Sequence, residues 1–124
     1  MDIKRVLVVD DQRSDLEWAS HAVKSCGLEP VQADGFDSAT KLLEQEPFAL
    51  VVTDNYMPHA NAGIELIQYM SRRLKYRAPT ILHTSTPPRD LKIIQEVFPW
   101  VEFVQKSAYR ESDALMASIK RLLS

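Results

Sequence analysis

Strands and helices alternate along this chain, which predicts an α/β fold: a parallel sheet with helices on both of its faces. Two observations carry that expectation. Arg5-Val6-Leu7-Val8-Val9 and Ala49-Leu50-Val51-Val52-Thr53 are apolar, β-branched runs that do not alternate, as in strands buried on both sides. Between such runs lie stretches with apolar residues at helical spacing, several of them closed by Gly or Pro. Right-handed crossovers then leave few topologies open.

The first strand, 5–9, ends in Asp10-Asp11. Ser14 stands three residues before Glu17, a capping-box spacing that opens a helix carrying Leu16, Ala19, Val23 and Cys26, with Gly27 as its stop. Pro30-Val31-Gln32-Ala33 is a brief second strand. Ala39, Leu42 and Leu43 mark a second helix, capped between Asp34 and Ser38 and closed by Pro47. The third strand ends at Asp54, in the segment Asp54-Asn55-Tyr56-Met57-Pro58. Ile64, Leu66, Ile67 and Met70 form a third helix, whose basic end at Arg72, Arg73 and Lys75 complements the helix dipole. Pro79-Thr80-Ile81-Leu82-His83 is the fourth strand, finishing at Thr84-Ser85-Thr86. Pro88 suits the first turn of a fourth helix with Leu91, Ile94, Val97 and Phe98, ended by Pro99. Val101-Glu102-Phe103-Val104-Gln105 alternates as an edge strand does and runs into Lys106. Leu115, Ile119 and Leu122 share one face of the last helix.

The chain of 124 residues fits one domain, taken as 1–124, with length for a real core. A net charge of -2 without a basic run argues against a nucleic-acid surface. Cys26 is the only cysteine, which excludes an internal disulfide and a cysteine zinc cluster. The start reads as neither signal peptide nor membrane span, so the expected location is cytoplasmic.

Four strands end in polar groups: Asp10 and Asp11, Asp54, Thr84, and Lys106. A parallel sheet brings these ends to one edge, where ligands of open α/β sheets bind. Carboxylates gathered there repel unless a counter-charge offsets them. A hard cation such as Mg²⁺ does so through oxygen ligands, a lysine suits a phosphoryl oxygen, and a threonine hydroxyl can donate to another. That is the equipment for forming an aspartyl phosphate.

On the Asp10-Asp11 pair, the segment 54–58, Thr84 and Lys106, the chain resembles a response-regulator receiver domain over essentially its whole length. The resemblance implies a flavodoxin-like (βα)5 three-layer sandwich with strand order 2-1-3-4-5. It implies that Asp54 accepts a phosphoryl group from a sensor histidine kinase or phosphotransfer protein. Asp11, Asp54 and the Tyr56 backbone carbonyl would ligate Mg²⁺, with Asp10 acting mostly through water. Thr84 and Lys106 would hold phosphoryl oxygens, and Phe103 would turn inward as Thr84 moves. Output would be read from the surface of helix four, strand five and helix five, by a downstream protein, a missing effector domain or a second copy of the chain. On this reading the protein is a switch rather than an enzyme, catalysing only its own phosphotransfer and dephosphorylation. Two alternatives stand beside it: a pseudo-receiver that binds partners without phosphorylation, and, more remotely, an aspartate-nucleophile phosphatase. The latter wants a second acid two residues after the first-strand nucleophile, where this chain has Gln12.

Several positions depart from the family's pattern. Ser107 stands where a cis proline usually follows the lysine; a cis bond to serine would cost about 3 kcal/mol, so a trans Lys106-Ser107 bond is expected. Gly63 lies one position further from Pro58 than usual, implying a reshaped loop. Tyr56 is bulky beside the acceptor, and its ring with Thr86 would screen water from the phosphoryl group. Phe98 and Trp100 pack on the sheet or, alternatively, present a partner contact. His83 reads as a core histidine, Trp18 as half-exposed packing, and Cys26 as a small core hydrophobe. His21 and His59 are isolated.

Overall fold

The structure is a computed structural model that describes residues 3–75, 77–106 and 113–124. Its strands are β1 (Arg5–Val9), β2 (Glu29–Ala33), β3 (Leu50–Thr53), β4 (Thr80–Thr84) and β5 (Val101–Gln105). The helices between and after them are α1 (Arg13–Ser25), α2 (Phe36–Gln45), α3 (Ala62–Arg72), α4 (Leu91–Val97) and α5 (Asp113–Leu123). All strand pairings are parallel, in the order β2-β1-β3-β4-β5. This is the flavodoxin-like order that the resemblance implied.

The unbroken apolar runs follow from burial on both faces. Leu7, Val9, Val51 and Leu82 point to one core, shared with Ala39 and Leu43 of α2, Leu66, Ile67 and Met70 of α3, and Ile94 of α4. Val6, Val8, Leu50, Val52 and Ile81 point to the other, under Leu16, Ala19 and Val23 of α1 and Leu115 and Ile119 of α5. Each such side chain contributes about 1.5–3 kcal/mol relative to exposure, so neither parity tolerates a polar replacement. The edge strand β5 obeys the same rule: Val101 and Phe103 face the first core, and Val104 the second. Pro30 sits in β2, the opposite edge, where a missing N–H is tolerated.

Local signals were read less accurately. The Ser14/Glu17 capping box does not form the start of α1. Gln12 is the N-cap residue, and Glu17 pairs with Arg13 one turn away. Ser14 lies inside the first turn, past the cap position, while the Gln12 N–H is taken by the Asp10 carboxylate at 3.0 Å. Pro88 precedes α4 rather than lying in its first turn: Asp90 is the N-cap residue. Gly27 does stop α1, at φ +78, and the cap of α2 falls in the expected interval, where Ser38 Oγ donates to the Asp34 carboxylate at 2.8 Å. Val97, expected on the buried face of α4, is 57% exposed with Ile93 at 59%. Phe98 is buried instead, edge-on to Trp100, and Arg77 lies over the Trp100 ring. The packing reading of those two aromatics therefore holds. Ser107 lies outside the described residues, and with it the geometry expected of the Lys106-Ser107 bond.

Candidate functional site

Backbone register assembles the site. Val9 of β1 pairs with Thr53 of β3, so the next residues, Asp10 and Asp54, emerge side by side; the Asp54 N–H donates to the Val9 carbonyl at 2.9 Å. Thr84 of β4 pairs with Gln105, and the Lys106 N–H donates to the Thr84 carbonyl at 2.9 Å. Sheet hydrogen bonding alone thus sets two carboxylates, a hydroxyl residue and a lysine along one edge.

The side chains complete the convergence. Lys106 Nζ donates to Asp10 Oδ2 at 2.8 Å, Asp54 Oδ2 at 3.0 Å and Asp15 Oδ2 at 3.1 Å. Asp54 Oδ1 accepts from the Asn55 N–H at 2.7 Å and the Tyr56 N–H at 3.4 Å, which orients the carboxylate. Carboxylate oxygens of Asp10, Asp11 and Asp54 lie within 4.8 Å of one another. Thr84 is buried, and with Asp15, Asp54, Tyr56, Thr86 and Lys106 it lines a cleft of about 490 Å³. Tyr56 stands at that cleft 59% exposed. Phe103 packs half-buried against the first core, in register with Leu82. A larger groove of about 560 Å³ runs between α3 and α4, but Asp15, Asp54 and the Lys106 ammonium line the smaller cleft.

Three residues have roles that only the folded site shows. Asp15, in the first turn of α1, joins the acids around Lys106. The Asn55 side chain accepts from the Ile64 N–H at 3.1 Å and so ties the loop after Asp54 to the start of α3. Gly63 packs directly on that loop: a Cβ there would lie 2.3 Å from the Asp54 carbonyl oxygen. The longer loop is held by Asn61 in the left-handed region at φ 70, a conformation asparagine tolerates.

The electrostatics reflect one cation among several acids. Burial pushes Asp10 up to about 6, against the lowering pull of the Lys106 and Gln12 hydrogen bonds. Burial would also pull Lys106 down, yet the Asp10 and Asp54 carboxylates outweigh it and hold the ammonium charged well past its ordinary range. Asp10 is raised chiefly by loss of solvent and Lys106 by its carboxylate neighbours, so the two shifts have different causes.

The donor set fits a hard divalent cation. Oxygen ligands at about 2.0–2.1 Å from Mg²⁺ stand at most about 4.2 Å apart, a spacing that small rotations of these carboxylates, or one water, supply.

The chain matches the family profile described as "Response regulator receiver domain" over residues 6–120. It belongs to the response regulator receiver family. Among its relatives, the receiver is 30% identical over 105 residues to the response regulator receiver protein CpdR of Brucella abortus, covering 77% of this chain and 87% of that one. It is 29% identical over 83 residues to the phosphate regulon transcriptional regulatory protein PhoB of Escherichia coli, covering 66% of this chain but only 36% of PhoB. The Vibrio cholerae chemotaxis protein CheY4 shares the fold, with a TM-score of 0.84 at 21% identity over 98% of this chain and all of that one. Thermotoga maritima response regulator TrrA, solved with Mg²⁺ and BeF, superposes with a TM-score of 0.82 at 28% identity and the same coverage. Among the described residues of the receiver, no helix is long and apolar enough to cross a membrane.

His83 adds a pH dependence beside the site. It is buried, stacked on Trp18 with ring centroids 6.1 Å apart. Burial, then the Lys106 charge, lowers it to about 4 from 6.5, against the opposite pull of Asp54 and Asp15. The folded state therefore resists protonation that the unfolded chain accepts. The stability tied to neutral His83 is complete above 6.5 and is lost as pH falls toward about 4. The loss is on the order of 2–3 kcal/mol. Denaturant unfolding of wild type and His83→Leu at pH 7.5 and 4.5 checks this: the variant should lose less on acidification, and parallel losses would contradict it.

Proposed function

We propose that this receiver is a phosphoacceptor switch in which Asp54 takes a phosphoryl group from a histidine kinase or phosphotransfer partner. The observation that carries this reading is the Lys106 ammonium seated between Asp10 and Asp54 beside clustered carboxylates at a solvent-open cleft. An Asp54 oxygen attacks the donor phosphorus; the bond from phosphorus to the donor's imidazole nitrogen breaks, and its electron pair leaves with the imidazole. Asp10, Asp11 and Asp54, with the Tyr56 carbonyl, would hold Mg²⁺, and the ion would supply positive charge to the transferring oxygens. Asn55 and Tyr56 N–H groups hold the Asp54 carboxylate in place, and Lys106 meets the negative charge that accumulates on the phosphoryl oxygens. Mg²⁺ beryllofluoride bound by TrrA supports this assignment.

The modified Asp54 carries more negative charge and three new acceptor oxygens. The Thr84 hydroxyl, lining the same cleft, is drawn toward them, and Phe103 on the adjacent strand repacks into the space released. That biases two packings of the α4, β5 and α5 surface, where Ile93 and Val97 are exposed for a downstream protein or a second copy. Chemistry is confined to self-catalysed phosphotransfer and hydrolysis.

Incubation with Mg²⁺ and acetyl phosphate, read by intact mass, tests the assignment: one phosphoryl group should be gained by wild type and none by Asp54→Ala. Exposed Tyr56 stands at the cleft mouth with Thr86 and screens the phosphoryl group from water. Tyr56→Asn should therefore lose its phosphoryl group several-fold faster; an unchanged or slower rate removes the screening role.

A further inference from the structure

We infer that Asp15 is an internal competitor for Lys106, filling in the unmodified protein the hydrogen-bonding position that a phosphoryl oxygen takes after transfer. This rests on the phosphoacceptor reading above. An ammonium has three N–H donors, and Lys106 directs all three to carboxylates: Asp10, Asp54 and Asp15. The three partners are not equivalent. Asp10 and Asp54 side chains are 4% and 8% exposed, whereas Asp15 is 30% exposed and lines the cleft together with Asp54, Thr84 and Lys106. Asp10 is not among the cleft-lining residues.

Asp15 thus holds the ammonium from the open side, the side on which a group added to Asp54 must stand. It is carried by the rigid first turn of α1, so its position does not depend on a loop. A phosphoryl oxygen reaching Lys106 from this side competes with the Asp15 hydrogen bond, next to another negative charge. The same charge acts in the opposite direction on a metal cation, because it adds to the negative field of Asp10, Asp11 and Asp54. Asp15 is therefore a positioning residue that favours cation binding and opposes phosphoryl binding. An acid placed only to complement the helix dipole would do neither.

The test uses wild type, Asp15→Asn and Asp15→Ala. Mg²⁺ affinity is measured alone by calorimetry, and beryllofluoride affinity at saturating Mg²⁺ by ¹⁹F NMR. Removing the charge should tighten beryllofluoride binding about fivefold or more while weakening Mg²⁺ binding about twofold to fivefold. Alanine should exceed asparagine in the first effect, since the amide still offers Lys106 an acceptor. Beryllofluoride affinity that is unchanged, or that falls along with Mg²⁺ affinity, overturns the competition and leaves Asp15 a structural acid. Absence of Mg²⁺-dependent beryllofluoride binding in wild type itself would instead overturn the phosphoacceptor reading, and this inference with it.

Discussion

Lys106→Ala should lower the stability of the metal-free protein at pH 8 by roughly 3–5 kcal/mol, the usual cost of removing one partner from a buried ion pair. In a chain of this size that is a fall of about 12–20 °C in melting temperature. The ammonium is 12% exposed and meets three carboxylates, two of them nearly inaccessible. With it gone, Asp10 and Asp54 face each other without compensation. The affinity of Asp10 for protons then rises further in the folded state relative to the unfolded chain, so protonation restores stability as pH falls. The deficit should shrink between pH 8 and pH 5, and Mg²⁺ should reduce it by supplying the missing charge. Melting curves at the two pH values, with and without Mg²⁺, check this. A deficit independent of both would mean that Lys106 matters for packing and not for charge.

Gly63→Ala should cost roughly 2–4 kcal/mol, a large effect for one added methyl group. The cause is local. An alanine Cβ would stand 2.3 Å from the Asp54 carbonyl oxygen and 2.9 Å from the Asn55 Cα, and both are backbone atoms that no rotamer change can move aside. Relief requires α3 to shift from the loop that carries the acceptor, which also strains the Gly63 and Ile64 N–H bonds to Asn55. The variant should take up phosphoryl groups from acetyl phosphate more slowly even under conditions where it remains folded. Chemical denaturation and the uptake rate check the two halves; a variant as stable as wild type would show that this contact gives way freely.

The strand pattern and its carboxylates were legible in the sequence because they are local facts. An apolar run ending in an acid reads the same before and after folding. The register that brings Asp10, Asp54 and Lys106 together follows from parallel pairing, so the site could be anticipated from strand ends. Asp15 could not be found that way. Its partner lies 91 residues away, and an acid in a first helical turn is already accounted for by the helix dipole. Ser14 misled because the helix starts at Arg13, which puts Ser14 inside the first turn and Gln12 at the cap. The α4 face was misjudged because seven residues make barely two turns, too few for apolar spacing to separate exposed Ile93 and Val97 from buried Ile94 and Phe98. Gly63's spacing from Pro58 pointed to a reshaped loop, but only the folded loop shows how closely the Asp54 carbonyl approaches.

The most direct trial of the account is a titration of the receiver with beryllofluoride in the presence of Mg²⁺, followed residue by residue through backbone amide NMR. Saturable shifts should be largest at Asp11, residues 54–56, residues 84–86 and Lys106, with smaller ones spreading to Phe103 and α4, and all should vanish without Mg²⁺ or in Asp54→Ala. Shifts centred elsewhere, or none at these residues, would contradict it.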